Sequence, residues 1–407
     1  MKKTGTWLAL AACALMVIPA PLSAADDTIL FGAAISITGK TAKEGEYTRD
    51  GYQFAIDKIN ELGGVKVGGK TYKVALKYYD DETKPERTAQ LIEKLINEDK
   101  VNLILGPYGS SPTGTAAPIC ERYKIPMVEA NGSAESIFSK GYKYSFMILS
   151  PAKLYLRGII DAVRAKDPSA KTVAILGENE SFSKEVAQGA ADYAKEKGMD
   201  VVYHELYPTN AQDVSALLTA IKGKNPQVVL GSGHLQDSLL IVKQSKDLGL
   251  SPKAMGFSVG PSSPEFRENL KGSADYIFGA TQWTEALRYT GDDPWKTPRA
   301  FGDAFRAKHA TYKSIPYQVA ESAVAVIAYQ KAIEKAGSLD PTKVRDALSA
   351  LDAMTFYGKV KFDARGVNVY KPMAVEQYQS DGKKYTVWPE DVAEKAPMYP
   401  MPAWDKR

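Results

Sequence analysis

The ten residues "GPYGSSPTGT", 106–115, follow the apolar run "VNLIL" and lead into "AAPICERY". They read as the turn between a strand and a helix. Gly109 and Gly114 have the spacing of a phosphate loop. Such a loop needs Lys and then Ser or Thr directly after its second glycine, one for the outer phosphates and one for magnesium. Thr115 and Ala116 stand there instead, so the nucleotide reading fails. What remains is a helix start with free N–H groups and a positive dipole end, which attracts an anion. Gly106 and Gly109 let the backbone come close, and Ser110 or Ser111 can cap the helix and offer a hydroxyl. Without the lysine, a carboxylate suits this turn better than a phosphate.

One strand later "ANGSAES", 130–136, repeats the logic, with the turn dipeptide Asn131–Gly132 and Ser133 opening a short helix. Two more strand ends, "GENESF" and "GSGHLQD", bring Phe182 and His234 to comparable positions. Catalysis is poorly served. His204, His234 and His309 are scattered, in no recognisable relation to an acid and without cysteine partners for zinc. An exported hydrolase using Ser110 or Ser133 would lack an oriented base. No enzyme, metal or cofactor is therefore expected.

These turns need a frame, and the chain supplies one from its start. "MKKTGTWLALAACALMVIPAPLSAA" has a basic head, an apolar centre and a small-residue end, as a cleavable signal peptide does. Cleavage after Ala25 is expected; "LAAC" at 10–13 is the competing lipoprotein reading. Removal of those 25 residues from 407 leaves 382 and lowers the formal charge from +4 to +2. That balance offers no broad basic field for nucleic acid. Cys13 leaves with the signal, so Cys120 has no partner for a disulfide and reads as a buried apolar residue.

Apolar runs then alternate with amphipathic ones. "ILFGAAISI", "VNLIL", "IPMVEA", "KTVAILGE", "DVVYHELY", "PQVVLGSG", "KAMGFS" and "ADYIFGAT" read as strands between helices, and "VGGKTYKVALKYYDD" as a hairpin. Pro118 predicts a kink, or a later helical start, after the opening turn. "IPYQVAESAVAVIAYQKAIEKAG" is apolar nearly all round and so a buried helix. The tail, "MTFYGKVKFDARGVNVYKPMAVEQYQSDGKKYTVWP", reads as antiparallel strands with turns at Gly366 and "SDGK". The fold class is α/β, with two doubly wound, Rossmann-like lobes.

The exported start, "GAAISITGKTAKEGEYTRDGYQFAIDKINELGG", "LGPYGSS", "KIPMVEANGSAES" and "TFYGKVKFDARG" together resemble the type I periplasmic solute-binding proteins. Within them the chain is most similar to the branched-chain amino acid receptors of ABC transporters. The resemblance implies two lobes joined by three hinge crossings, 26–147 with 283–355 and 148–282 with 356–407. It implies a periplasmic monomer that closes on a small carboxylated solute and hands it to an inner-membrane ABC permease. A sensing subunit for a membrane receptor is the alternative. By resemblance Ser110 contacts the carboxylate, the Asn131 carbonyl accepts from the ligand amine, Ser133 binds by its hydroxyl and its N–H, and Phe182 and His234 lie against the ligand. Two positions depart. Ser258, in "MGFSVG", stands where these receptors usually carry the glutamate that neutralises the amine. Glu44 stands where they carry an apolar or aromatic wall, and either replaces that glutamate or signals a ligand without an amine. Trp283, near a crossing, either lines the cleft or packs in the core.

Overall fold

The computed structural model describes residues 28–407, so the expected signal peptide, 1–25, lies outside the described residues. A first sheet is built from β1 (Thr28–Ile35), β2 (Val65–Val67), β3 (Lys70–Asp80), β4 (Leu103–Leu105), β5 (Met127–Glu129) and β6 (Ser145–Met147). Their order is β2-β3-β1-β4-β5-β6, parallel except for the β2–β3 hairpin. A second sheet takes β7 (Thr172–Glu178), β8 (Asp200–Tyr207), β9 (Val228–Ser232), β10 (Ala254–Phe257) and β11 (Phe278–Thr281). After the separate hairpin of β12 (Asp352–Thr355) and β13 (Gly358–Lys361), β14 (Ala374–Tyr378) and β15 (Lys384–Trp388) join this sheet antiparallel. The order is β15-β14-β11-β10-β9-β7-β8.

β4, β5, β6, β9, β10 and β11 are buried at every residue, as strands covered on both faces must be. The helix Tyr317–Ala336 is buried without a break from Tyr317 to Tyr329 and packs on the helix Ala42–Glu61 behind the first sheet. Gly337, at φ 57°, ends it in a left-handed cap. The helix of the opening turn runs unbroken from Ser110 to Tyr123, with Pro118 inside it. The later start therefore does not occur. Two further helices, Pro298–Lys308 and Pro341–Ser349, begin at proline behind the side-chain caps Thr297 and Asp340. No helix among the described residues is long and apolar enough to cross a membrane.

Candidate functional site

The opening turn leaves the end of β4 and passes through Gly109, at φ 93°, a conformation that favours glycine. Gly106 is tighter still: a Cβ there would lie 2.1 Å from Glu129 Oε2. Glu129, the last residue of β5, is fully buried beneath both turns. It accepts hydrogen bonds from the backbone N–H groups of Asn131 (2.6 Å) and Gly132 (2.8 Å). Its Oε2 lies 2.8 Å from the Thr113 hydroxyl, which is also 2.7 Å from the Gly109 carbonyl. One hydroxyl hydrogen cannot serve two acceptors, so a proton on Oε2 completes the set. Burial agrees, pushing the Glu129 carboxyl up to about 8 against the pull of its donors. The two turns are also joined directly, Gly109 N–H donating to the Asn131 carbonyl (3.2 Å) and Ala134 N–H to Ser110 Oγ (3.0 Å).

The second sheet presents the opposing wall. The Glu180 carboxylate caps the helix Ser181–Glu196 by accepting from Phe182 N–H (2.9 Å) and Ser183 N–H (2.5 Å). His234 opens the helix Leu235–Asp247, its own N–H donating to Asp237 Oδ2 (3.0 Å). The two walls are closed on each other. Lys40 donates to Glu178 (2.6 Å) and Asp237 (3.0 Å), and the Tyr108 hydroxyl meets His234 Nδ1 at 3.0 Å. Ser111 Oγ donates to Glu180 (3.2 Å), and Leu235 N–H to Glu44 Oε1 (3.0 Å). Glu178, Glu180 and His234 each offer a ligand atom within 4.8 Å of the others, but each is already engaged, and Lys40 is the cation of the group.

Two spaces lie along this closure. An outer pocket of about 250 Å³ is lined by Lys40, Thr41, Ser110, Ser111, Glu178 and Glu180, among others. An inner cavity of about 10 Å³ is walled by Tyr108, Asn131, Tyr155, Phe182, Tyr317 and Glu321, with Leu149, His234 and Val259. Tyr108 and His234 line both spaces, so their hydrogen bond stands between them. Phe182 tilts against His234, ring centres 5.5 Å apart, and meets Tyr155 edge-on at 5.0 Å. At the cavity floor the Glu321 Oε2 accepts from the Tyr357 hydroxyl (3.2 Å), and the Lys371 ammonium lies 4.3 Å from the centre of the Tyr357 ring. Burial raises the Glu321 carboxyl and lowers the Lys371 ammonium to about 7.

Of the residues singled out from the sequence, Ser110, Ser111, Asn131, Phe182 and His234 line these spaces. Ser133 is buried beside Tyr155, its carbonyl accepting from Ala152 N–H at 2.9 Å. Glu44 is fully buried between the walls but lines neither space; burial raises its carboxyl, with the nearby His234 acting against it. Ser258 is turned away. Its hydroxyl donates to the Gly233 carbonyl (2.9 Å) and accepts from the Gly233 N–H (3.1 Å), so it fixes the turn that carries His234. Trp283 belongs to an aromatic cluster with Phe301 (5.5 Å) and Phe356 (6.4 Å), its indole donating to the Phe356 carbonyl (3.2 Å). It borders a different groove, with Arg267 and Arg306. The sequence reading missed Tyr155, Tyr317 and Glu321. The signal for Glu321 was present: a lone acid in the apolar stretch "VAESAVAVIA" of a buried helix.

Comparison with known proteins decides the family. The model described as "Periplasmic binding protein" matches residues 28–383. The chain belongs to that family. A leucine-, isoleucine-, valine-, threonine- and alanine-binding protein of Pseudomonas aeruginosa is 32% identical over 349 residues, 85% of this chain and 89% of that protein. Leu/Ile/Val-binding protein homolog 8 of Brucella melitensis is 29% identical over 383 residues, 90% and 91% of the two chains. Among solved structures, a leucine-binding protein from Thermotoga maritima superposes with a TM-score of 0.76 at 21% identity, covering 88% of this chain and 97% of that one. A solute-binding protein from R. palustris in complex with benzoate gives 0.73 at 18%, covering 88% and 95%. The fold is the type I periplasmic binding fold, and this member of the family is a binding protein rather than an enzyme.

Proposed function

We propose that the protein is the periplasmic substrate-binding component of an ABC importer, which captures a small carboxylated solute between its lobes for an inner-membrane permease. The observation that carries this reading is the pair of turns after β4 and β5, locked together and facing Phe182 and His234 across the cleft. The helix Ser110–Tyr123 directs its N-terminus, with the Ser110 and Ser111 hydroxyls, at the outer pocket, where a carboxylate is stabilised. Aromatic rings, with Leu149 and Val259, form most of the inner wall and suit an apolar or aromatic body. An inner cavity of about 10 Å³ has room for little more than one water. Entry of a solute therefore requires the Tyr108–His234 and Lys40–Glu178 contacts to part and to reform around it.

The lobes we assign are those expected from the sequence, with one adjustment at the third crossing. Gln282 exchanges two hydrogen bonds with the Ser150 backbone, both 3.1 Å, and Asn368 donates to the Ile148 carbonyl (3.0 Å), so three strands of chain run side by side there. Phe356 stacks on Phe301 at 4.1 Å beside the first sheet's helices. This supports a third crossing near Asn368–Met373 rather than at 355/356. Export by the N-terminal signal, a monomeric state and permease docking complete the proposal. Native mass spectrometry of protein purified from its own periplasm tests it. One small carboxylate-bearing solute per chain is the expected mass difference; a chain that carries and accepts none overturns the reading.

A further inference from the structure

Two residues that line the inner cavity each carry a buried oxygen with no hydrogen-bond partner among the described residues: Glu321 Oε1 and Asn131 Oδ1. Both are acceptors. A buried acceptor left without a donor costs about 1–3 kcal/mol, and more for a charged group, so a pair in one cavity calls for a donor from outside the chain. Each residue's other polar atom is already bonded, Glu321 Oε2 to Tyr357 and Asn131 Nδ2 to Ser322 Oγ at 2.9 Å. The unpartnered atoms are thus held in place by their own side chains. Around them stand the rings of Tyr108, Tyr155, Phe182 and Tyr317. Aromatic faces attract cations, most strongly when water is excluded.

We propose that Glu321, assisted by the Asn131 amide oxygen, is the acceptor for a cationic nitrogen on the captured solute, which makes the ligand an amine-bearing acid. This rests on the solute-receptor reading above and names the ligand class of that same cleft.

The other acids near the cleft are committed elsewhere. Glu178 and Asp237 hold Lys40, Glu180 caps its helix, and Glu44 accepts from Leu235 N–H without lining the cavity. Ser258 is bonded to Gly233. Lys371, the nearest cation, stays behind Tyr357. Its ammonium donates to the Gln282 carbonyl and reaches the Pro372 carbonyl at 3.4 Å; its charge acts on Glu321, but Glu321 Oε1 still has no donor. The chain thus carries its ligand-facing acid on the helix Tyr317–Ala336, on the first-sheet side of the cleft, not after β10, where Ser258 lies.

Calorimetric titration tests this with the twenty standard amino acids and, for each one, the analogue carrying a hydroxyl in place of the amine. Wild-type protein should bind the amine-bearing member about 10- to 150-fold more tightly, the range for a hydrogen bond to a charged group. E321Q should lose that preference, weakening the amine-bearing solute and leaving the hydroxyl analogue nearly unchanged. E321D, which keeps the carboxylate, should retain part of the preference and serves where E321Q melts too low to titrate. Equal wild-type affinity for both members overturns the proposal. So does a preference that survives E321Q or, where E321D alone can be titrated, is unaltered by it. A wild-type protein that binds only acids lacking an amine also overturns it while sparing the receptor reading. One that holds no small solute at all overturns both.

Discussion

Glu129→Gln removes a proton equilibrium from beneath the two turns while keeping the shape that holds them. The carboxyl sits between two backbone N–H donors and a hydroxyl whose one hydrogen is already directed at Gly109. A glutamine reproduces the neutral acid: its oxygen accepts from Asn131 and Gly132, and its amide donates to Thr113. In the unfolded chain the carboxyl returns to its ordinary value of 4.5, against about 8 when folded. The folded state therefore binds a proton that the unfolded state releases between those two values. Stability from this group is complete below about 4.5 and is lost as the pH rises through about 8. At about 1.4 kcal/mol per pH unit the ceiling is about 5 kcal/mol. Burial raises Glu44, Glu178 and Glu321 too, so wild type alone shows a composite slope. The difference between wild type and Glu129→Gln isolates one group. Melting temperatures measured from pH 5 to pH 8 should fall less steeply in the variant, with the curves closest at the acid end. Parallel curves, or a variant already far less stable at pH 5, would refute the neutral carboxyl.

Ser110→Ala should weaken solute binding about 10- to 150-fold, because it removes a hydroxyl from the helix start; it also leaves the buried Ala134 N–H without its acceptor, so the unliganded protein loses about 1–3 kcal/mol. An unchanged dissociation constant refutes the role. Lys40→Met leaves Glu178 and Asp237 facing each other without their cation, so the closed form should be less populated. Small-angle scattering at saturating solute then shows a larger radius than wild type, and identical profiles count against Lys40 as a closure contact. Burial raises the Cys120 thiol well above its ordinary value, so native protein should resist alkylation that proceeds readily in denaturant; rapid native labelling would contradict this.

The site was legible where it is local. A glycine-serine turn between an apolar run and an amphipathic one is visible within ten residues, so Ser110 and Ser111, and Asn131 in the similar turn one strand later, stand out as candidates, and the structure places all three on the two spaces. Tyr108, quoted in that same turn, drew no attention because its partner, His234, lies 126 residues away. Glu321, Tyr357, Gln282 and Lys371 meet only through the crossings, and no spacing in the sequence announces them. Position by itself misled for Ser258, since a residue at a strand end can face its own turn, as this one does toward Gly233. The helices Pro298–Lys308 and Pro341–Ser349 went unread although "TP" and "DP" are cap-and-proline starts. The three residues of β6 are too short to show a period.

The most direct test of the account is a crystal structure of the protein with its captured solute. The solute should lie between the two turns and the Phe182 ring, its carboxylate at the start of the helix Ser110–Tyr123 and its cationic nitrogen on Glu321. A solute held in the groove beside Trp283, Arg267 and Arg306, or one in the cleft with its polar ends reversed, would contradict it.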